Sequence, residues 1–404
     1  MNPVKKIFCR IYQLAFRAAM PFLPYREPEK LHCVEDIGPL IKKLGMDTVL
    51  LVTDGFLRKS GATYNLEKSL ENSNIKCVVY DKTNANPTVG NVEEALDIYK
   101  SGGCECLIAY GGGSSMDCAK AVGARVAYPQ KSLNRLGGTL HVLRKIPVLI
   151  AVPTTAGTGS EVTVTAVITD SETKHKYTMN DFPLIPAYAV LDPKVTYTLP
   201  QSLTATTGMD ALTHAVEAYI GNSTTKETRR LAKEAVRLIF ENIEIAYNDG
   251  NNNSARKNML NAAYMAGIAF SKSYVGYIHA VAHSLGGQYN VPHGLANSVL
   301  MPIVLEEYGE CVHKKLRDLA VSAGLSKETD SPKDAAERFI YEIRNLNKRM
   351  GIPETIEGIC REDISKMARY ASKEANPLYP VPRLMDASEL EKLYYKVSKE
   401  SVTE

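Results

Sequence analysis

The chain has 404 residues, of which 45% are hydrophobic and 23% charged, with a formal net charge of +3. That length accommodates two or three domains with a sizeable core, and the near-balanced charge excludes a broad nucleic-acid-binding surface. No apolar run approaches the ~18 residues of a membrane-spanning helix. The eight cysteines form no CxxC pair, so reduced, buried thiols in a cytoplasmic protein are expected rather than disulfides or a zinc knuckle.

The first 30 residues form an extension. In VKKIFCRIYQLAFRAAMPFLP, residues Ile7, Phe8, Ile11, Leu14, Ala15, Ala18 and Phe22 fall on one arc of a helical wheel and Lys6, Arg10, Gln13 and Arg17 on the opposite one, with no acid before Glu27. Arg10 and Arg17 interrupt any signal-peptide core. The helix is expected to dock on the protein's own body or on a sister subunit, with a membrane surface as the alternative.

From residue 31 to 199 short apolar runs alternate with helical stretches. Runs at 48–52, 76–80, 106–110 and 148–152 read as strands, with a helix at 92–101 and further β-rich pieces at 162–169 and 188–191. The alternation predicts a parallel sheet covered on both faces. Each run ends in a polar or glycine-rich loop, at the edge where open α/β sheets bind ligands. Beyond a boundary near 199–201 the pattern is helical: 225–241, 255–271, 296–308, 332–348 and 387–399. The third domain therefore spans 200–404.

Two loops suggest phosphate chemistry. The run at 106–110 leads into GGGSSMDCAK, a strand, glycine turn and helix that would let backbone N–H groups approach a pyrophosphate. It is neither GxGxxG nor a Walker loop, and a plain tight turn would read the same. PTTAGTGSE offers the hydroxyls of Thr154, Thr155, Thr158 and Ser160 after a strand, a cradle for phosphate or ribose, or else a Ser/Thr-rich turn. Asp54 closes the first strand, where a carboxylate can accept from a ribose 2′-hydroxyl and repel a 2′-phosphate, or simply cap a helix.

The C-terminal half concentrates imidazole. Four of the eight histidines fall between 214 and 293. Asp210 and His214 stand four apart in GMDALTHAVEAY and so share a helix face. His279 and His283 repeat that spacing in HAVAH, which lacks the Glu of a zincin motif, and His293 sits in the turn NVPHG. A metal that keeps an open position needs one of these five to be spare. The set Asp210, His214, His279 and His293 leaves out His283 and offers N/O ligands suited to Fe(II) or Zn(II).

GGGSSMDCAK, PTTAGTGSEVT, LDPKVTYTLP, GMDALTHAVEAY and HAVAHSLGGQYNVPHGLANSVLMP, in this order, resemble the iron-containing (group III) alcohol dehydrogenases from about residue 30 onward. The resemblance implies an α/β N-terminal dinucleotide-binding domain with a Rossmann-like parallel sheet, then an all-α metal-binding domain. It puts the metal ligands on Asp210, His214, His279 and His293. It puts nucleotide contacts on Asp54, Asn86, Gly112, Gly113, Ser114, Thr154, Thr155, Thr158 and Lys176, and places His283 near the nicotinamide as a catalytic proton relay. The expected cofactors are Fe(II), or Zn(II), and NAD rather than NADP. A small primary alcohol or aldehyde is the expected substrate, and a homo-oligomer, a dimer first, the expected assembly. The chain departs from the family's usual small residues at Lys272, Tyr274 and Tyr277, which are expected to alter the substrate path. The alternatives are a lyase or cyclase resembling 3-dehydroquinate synthase, a metallohydrolase, and a non-enzymatic scaffold.

Overall fold

The apolar runs at 48–52, 106–110 and 148–152 become strands buried on both faces. The computed structural model describes residues 1–171 and 175–399, with only the backbone of Pro21, His175 and Lys176. Nine strands are present among them: β1 Glu29–Leu31, β2 Thr48–Val52, β3 Lys76–Tyr80, β4 Cys106–Gly111, β5 Gly138–Thr139, β6 Leu149–Pro153, β7 Thr165–Asp170, β8 His175–Asn180 and β9 Tyr188–Val190. Six form one sheet in the order β1-β9-β6-β4-β2-β3, parallel throughout. Leu50 sits opposite both Val78 and Leu107, which fixes the register of the three strands at its centre.

Successive side chains point to opposite faces of a strand. Leu50, Val52, Leu107, Ala109 and Ala151 pack with Leu96, Ala119 and Val122 on one side. Val49, Leu51, Ile108, Ile150 and Val152 pack with Ile37, Ile41, Leu66 and Leu70 on the other. This double burial is why the strands read as continuous rather than alternating apolar runs. A small second sheet, β5-β8-β7, holds the hairpin β7–β8. Its strand β8, HKYTMN, is too polar to stand out in the sequence.

Beyond Pro200 the described chain is helical but for one isolated bridge. Helix Gln201–Ile220 is its centre: every residue from Gly208 to Ile220 is buried. The helices Lys226–Asn248, Asn253–Ser273, Tyr277–Tyr289 and His293–Tyr308 follow, then Glu310–Ser322, Pro332–Arg349, Arg361–Ala375 and Ala387–Val397. Thr225 and Asp386 each start a helix with a capping box.

Contacts divide the chain into two units, Pro24–Leu199 and Pro200–Glu404 together with Met1–Leu23. The N-terminal segment, expected as a separate extension of 30 residues, thus packs within the helical unit. Helix Pro3–Ala19 buries Cys9 and Gln13. Arg10 donates to the carbonyls of Val381 and Pro382 at 2.8 and 2.9 Å, and Gln13 to those of Tyr379 and Pro377 at 2.7 and 3.1 Å. All eight cysteines are free; Cys9, Cys104, Cys106 and Cys118 are buried, but Cys311 and Cys360 are exposed, against the expectation of uniformly buried thiols. No helix among the described residues is long and apolar enough to cross a membrane.

Candidate metal site and nucleotide cradle

Three helices bring four ligand side chains to one point. Asp210 and His214 lie one turn apart on Gln201–Ile220, with Asp210 Oδ2 and His214 Nδ1 4.0 Å apart. His279 comes from Tyr277–Tyr289. That helix ends on Asn290 in the left-handed conformation (φ 55°), and the next begins at His293 behind Pro292. His293, expected in a turn, therefore opens a helix, as Pro292 and the positive-φ Asn290 make the turn shorter than the sequence suggested.

One ligand atom from each of Asp210, His214, His279 and His293 lies within 4.8 Å of the other three. Asp210 Oδ1 is 3.8 Å from His279 Nε2 and 3.5 Å from His293 Nε2. Tetrahedral bonds near 2.1 Å set ligand atoms about 3.4 Å apart, so a small contraction would complete the shell. Asp210, His214 and His279 are buried, while the His293 side chain is 38% exposed. The open side is the one a substrate oxygen would need.

Glu217 orients this set. It follows Asp210 by seven residues and His214 by three, on the same helix face. Its Oε2 accepts from His279 Nδ1 at 2.6 Å and from Gly276 N at 2.8 Å, and its Oε1 accepts from Ile278 N at 2.8 Å. The His279 proton therefore sits on Nδ1, and the Nε2 lone pair faces the ligand cluster. A Cβ at Gly276 would stand 2.7 Å from Oε1, so only glycine admits the carboxylate here. Burial pushes the Glu217 carboxyl up to about 8, against the lowering effect of the Gly276, Ile278 and His279 backbone N–H groups and of the nearby His283. Burial first, then the imidazoles of His214, His293 and His283, holds His279 well below the ordinary histidine range, in the neutral state a metal requires. His214 is stacked between Phe270 at 4.2 Å and His279 at 4.4 Å.

Asn297 provides a test of fit for a cation. Its Nδ2 lies 2.7 Å from Asp210 Oδ1, 3.1 Å from His293 Nε2 and 3.2 Å from His279 Nε2, and its buried Oδ1 has no hydrogen-bond partner. One NH2 group carries two hydrogens and cannot satisfy three converging acceptors. That surplus of lone pairs matches the chemistry of a divalent metal.

His283 stands outside the cluster, at its rim. Its Nδ1 is 2.7 Å from Glu374 Oε1, which also accepts the Tyr379 hydroxyl at 2.8 Å. Its ring stacks on His293 at 5.2 Å. The three bulky residues expected on a substrate path are engaged in packing. Tyr277 is fully buried, its hydroxyl bonded to Asn376 Oδ1 and to the backbone of Met385. Tyr274 packs edge-on against Phe16 of the N-terminal helix at 5.0 Å, and Lys272 pairs with Glu227.

In the other unit, the sheet order reverses between β2 and β4, since β2 leads outward to β3 while β4 leads inward to β6. Ligands of open α/β folds bind at such a switch point. Asp54 follows β2 and Gly112 follows β4. Asp54 Oδ1 caps helix Gly55–Lys59, accepting from Phe56 N and Leu57 N at 2.9 and 3.0 Å. Gly112 is the N-cap of helix Gly113–Ala127. A Cβ on Gly113 would stand 2.9 Å from Thr158 Cγ2, so the glycine loop and the threonine loop pack directly on each other. Thr154 N donates to Gly111 O at 3.0 Å, Thr155 lies beside Gly112, and the Ser114 hydroxyl donates to Ala85 O, next to Asn86. Lys176 is on β8, paired with Thr169, but its side chain lies outside the described residues.

A buried polar cluster stands beneath the threonine loop. The Lys120 ammonium is within 3.0 Å of Ser160 Oγ, Thr163 Oγ1 and the carbonyls of Thr163 and Thr165. Asp117 accepts from Ser160 Oγ at 2.9 Å and from Val167 N at 3.0 Å. Burial draws Lys120 down to about 8 and pushes Asp117 and Glu161 up to about 6 and 7. Sequence reading passed over Glu217, Asn297, Glu374 and Lys120. The signal was present for two of them: Glu217 shares the face of Asp210 and His214, and Asn297 is four residues after His293.

Family models match nearly the whole chain. Residues 29–193 match the iron-containing alcohol dehydrogenase model, and residues 204–398 match the C-terminal model of the Fe-containing alcohol dehydrogenase family. The chain belongs to the iron-containing alcohol dehydrogenase family. It is 37% identical to a 1,3-propanediol dehydrogenase of Citrobacter freundii over 90% of its length and 94% of the relative's. It is 36% identical to an NAD-dependent methanol dehydrogenase of Bacillus methanolicus, covering 84% and 90% of the two chains. The crystal structure of a 1,3-propanediol oxidoreductase superposes with a TM-score of 0.88 at 35% identity, covering 92% of this chain and 99% of that one. As a member of this family the protein is an alcohol dehydrogenase, an oxidoreductase with a Rossmann-like nucleotide unit and a helical unit. The dehydroquinate-synthase-like alternative is not favoured: these relatives are dehydrogenases, and of the two basic residues between 257 and 300, Lys257 and Lys272, the second is paired with Glu227.

Proposed function

We propose that the protein interconverts small primary alcohols and aldehydes with NAD, using a divalent metal, Fe(II) first and Zn(II) second, held by Asp210, His214, His279 and His293. The observation that carries this reading is the convergence of those four ligand atoms, with Glu217 setting the His279 tautomer. When bound, the metal lends Lewis acidity to the substrate oxygen and the nicotinamide exchanges hydride with the carbinol carbon. The remaining work falls to the chain. His283, with Nδ1 turned to Glu374, takes the hydroxyl proton on alcohol oxidation and returns it on aldehyde reduction. Asp54, Asn86, Gly112, Gly113, Ser114, Thr154, Thr155, Thr158 and Lys176 hold the nucleotide. Asp54 still has a carboxylate oxygen beyond the one that caps its helix, and that oxygen selects a 2′-hydroxyl over a 2′-phosphate. The names of the relatives, acting on propanediol and methanol, support a small hydroxylated substrate. A cytoplasmic homodimer is the working assembly.

Absorbance of NADH during oxidation of a panel of short primary alcohols tests the reading. Turnover is expected with NAD at least about tenfold better than with NADP, because a 2′-phosphate would face the Asp54 carboxylate. Asp54→Gly should narrow that ratio. An NADP preference in the unmodified protein contradicts the Asp54 assignment, and no nicotinamide reduction with any alcohol contradicts the reading itself.

A further inference from the structure

Helix Pro3–Ala19 is docked by the wrong side for an ordinary amphipathic helix. At 100° per residue, Val4, Ile7, Phe8, Ile11 and Leu14 all point within about 60° of one direction. Its two buried residues, Cys9 and Gln13, lie on the opposite side and make or flank the contacts to residues 377–382. The apolar stripe is left in solvent: those five side chains are 58 to 74% exposed, and Phe22 just beyond is 86% exposed. Exposed apolar stripes of this extent mark interaction surfaces.

Charge decides what covers this one. Lys5, Lys6, Arg10, Arg17 and Arg26 precede the first acid, Glu27. Lys5 and Lys6 are exposed, to either side of the helix about 120° and 140° from the centre of the stripe, with stems long enough to reach back toward a surface it enters. Arg10 is occupied by backbone carbonyls, and the Met1 ammonium pairs with Asp386. A second copy docking stripe to stripe would set two cationic helices together, with no acid in the first 26 residues to offset them. An anionic lipid surface meets both features.

We propose that this helix seats the protein on anionic lipid, the stripe Val4, Ile7, Phe8, Ile11, Leu14 and Phe22 entering the acyl boundary and Lys5 and Lys6 lying at the phosphate level. The docking contacts are on the far side, so the helix binds lipid without leaving the body that carries it.

Flotation of the full chain with vesicles tests this. With phosphatidylcholine vesicles containing about 30% phosphatidylserine the protein should float with the lipid, and with pure phosphatidylcholine about tenfold less should do so. The triple variant Ile7→Ser/Ile11→Ser/Leu14→Ser should lose binding, and Lys5→Glu/Lys6→Glu should lose the preference for anionic lipid, both with the thermal unfolding of the parent. Should the triple variant fold poorly, the charge-reversed double variant carries the test alone. Failure of the unmodified protein to float with anionic vesicles overturns the proposal. So does a smaller oligomer for the triple variant in sedimentation velocity without lipid, which would assign the stripe to a second copy.

Discussion

Glu217 is a buried carboxylate placed to orient the candidate metal ligands without being one of them. Its two oxygens take N–H donors from Gly276, Ile278 and His279, so Glu217→Gln would bring an amide NH2 against at least one of them. An unmet buried donor costs about 1–3 kcal/mol, and loss of such an orienting partner typically weakens metal binding about 10–100-fold. Metal titration against a competing chelator should show that loss in a folded variant, and unchanged affinity would mean the His279 tautomer is set elsewhere. Of the candidate metal ligands, Asp210 and His214 could be paired from the sequence because i,i+4 spacing brings unlike ligand types to one helix face. Glu217 could not be separated from a surface acid until its neighbours were known, since Gly276 and Ile278 are about sixty positions away. Asp54 was ambiguous in the sequence between cap and ribose contact, and the structure shows the cap.

At the scale of elements, helix Gly113–Ala127 and the turn after β6 act as one device. The N-terminus of the helix packs against Thr158 through Gly113, and two turns on, Lys120 ties down Ser160 and Thr163. Replacing the ammonium by an apolar group removes the donor that Ser160, Thr163 and Thr165 share in the buried cluster. Lys120→Met should therefore lower the stability of Pro24–Leu199 by about 1–3 kcal/mol, the cost of unmet buried acceptors, measurable by denaturant unfolding. It should also raise the KM for NAD more than it changes kcat. A variant with parental stability and KM would show that the cluster is filler. The strands β2, β4 and β6 were legible because burial on both faces removes polar residues from them; β3, at the sheet edge, is only partly buried. Strand β8 was not legible, and neither was the orientation of the N-terminal helix, because a wheel shows which face is apolar but not which face finds a partner.

Over the whole molecule, the change from strand–helix alternation to continuous helix near residue 200 was visible as a change of period, and contacts divide the chain at the same place. What the pattern could not show was that residues 1–23 return to the helical unit. That association rests on hydrogen bonds from Arg10 and Gln13 to carbonyls more than 360 residues away, which no local signal encodes. Each unit brings together residues distant in sequence: the helical unit gathers candidate ligands from positions 210 to 293, and the α/β unit lines its switch point with loops after β2, β4 and β6. The central claim is that the ligands are Asp210, His214, His279 and His293, with His283 as the proton carrier. Metal content of anaerobically purified protein tests it most directly, with the parent, His279→Ala and His283→Ala compared side by side. The account requires about one ion per chain in the parent, almost none in His279→Ala, and the parental amount with much slower turnover in His283→Ala. Metal retained by His279→Ala, or lost from His283→Ala, would contradict it.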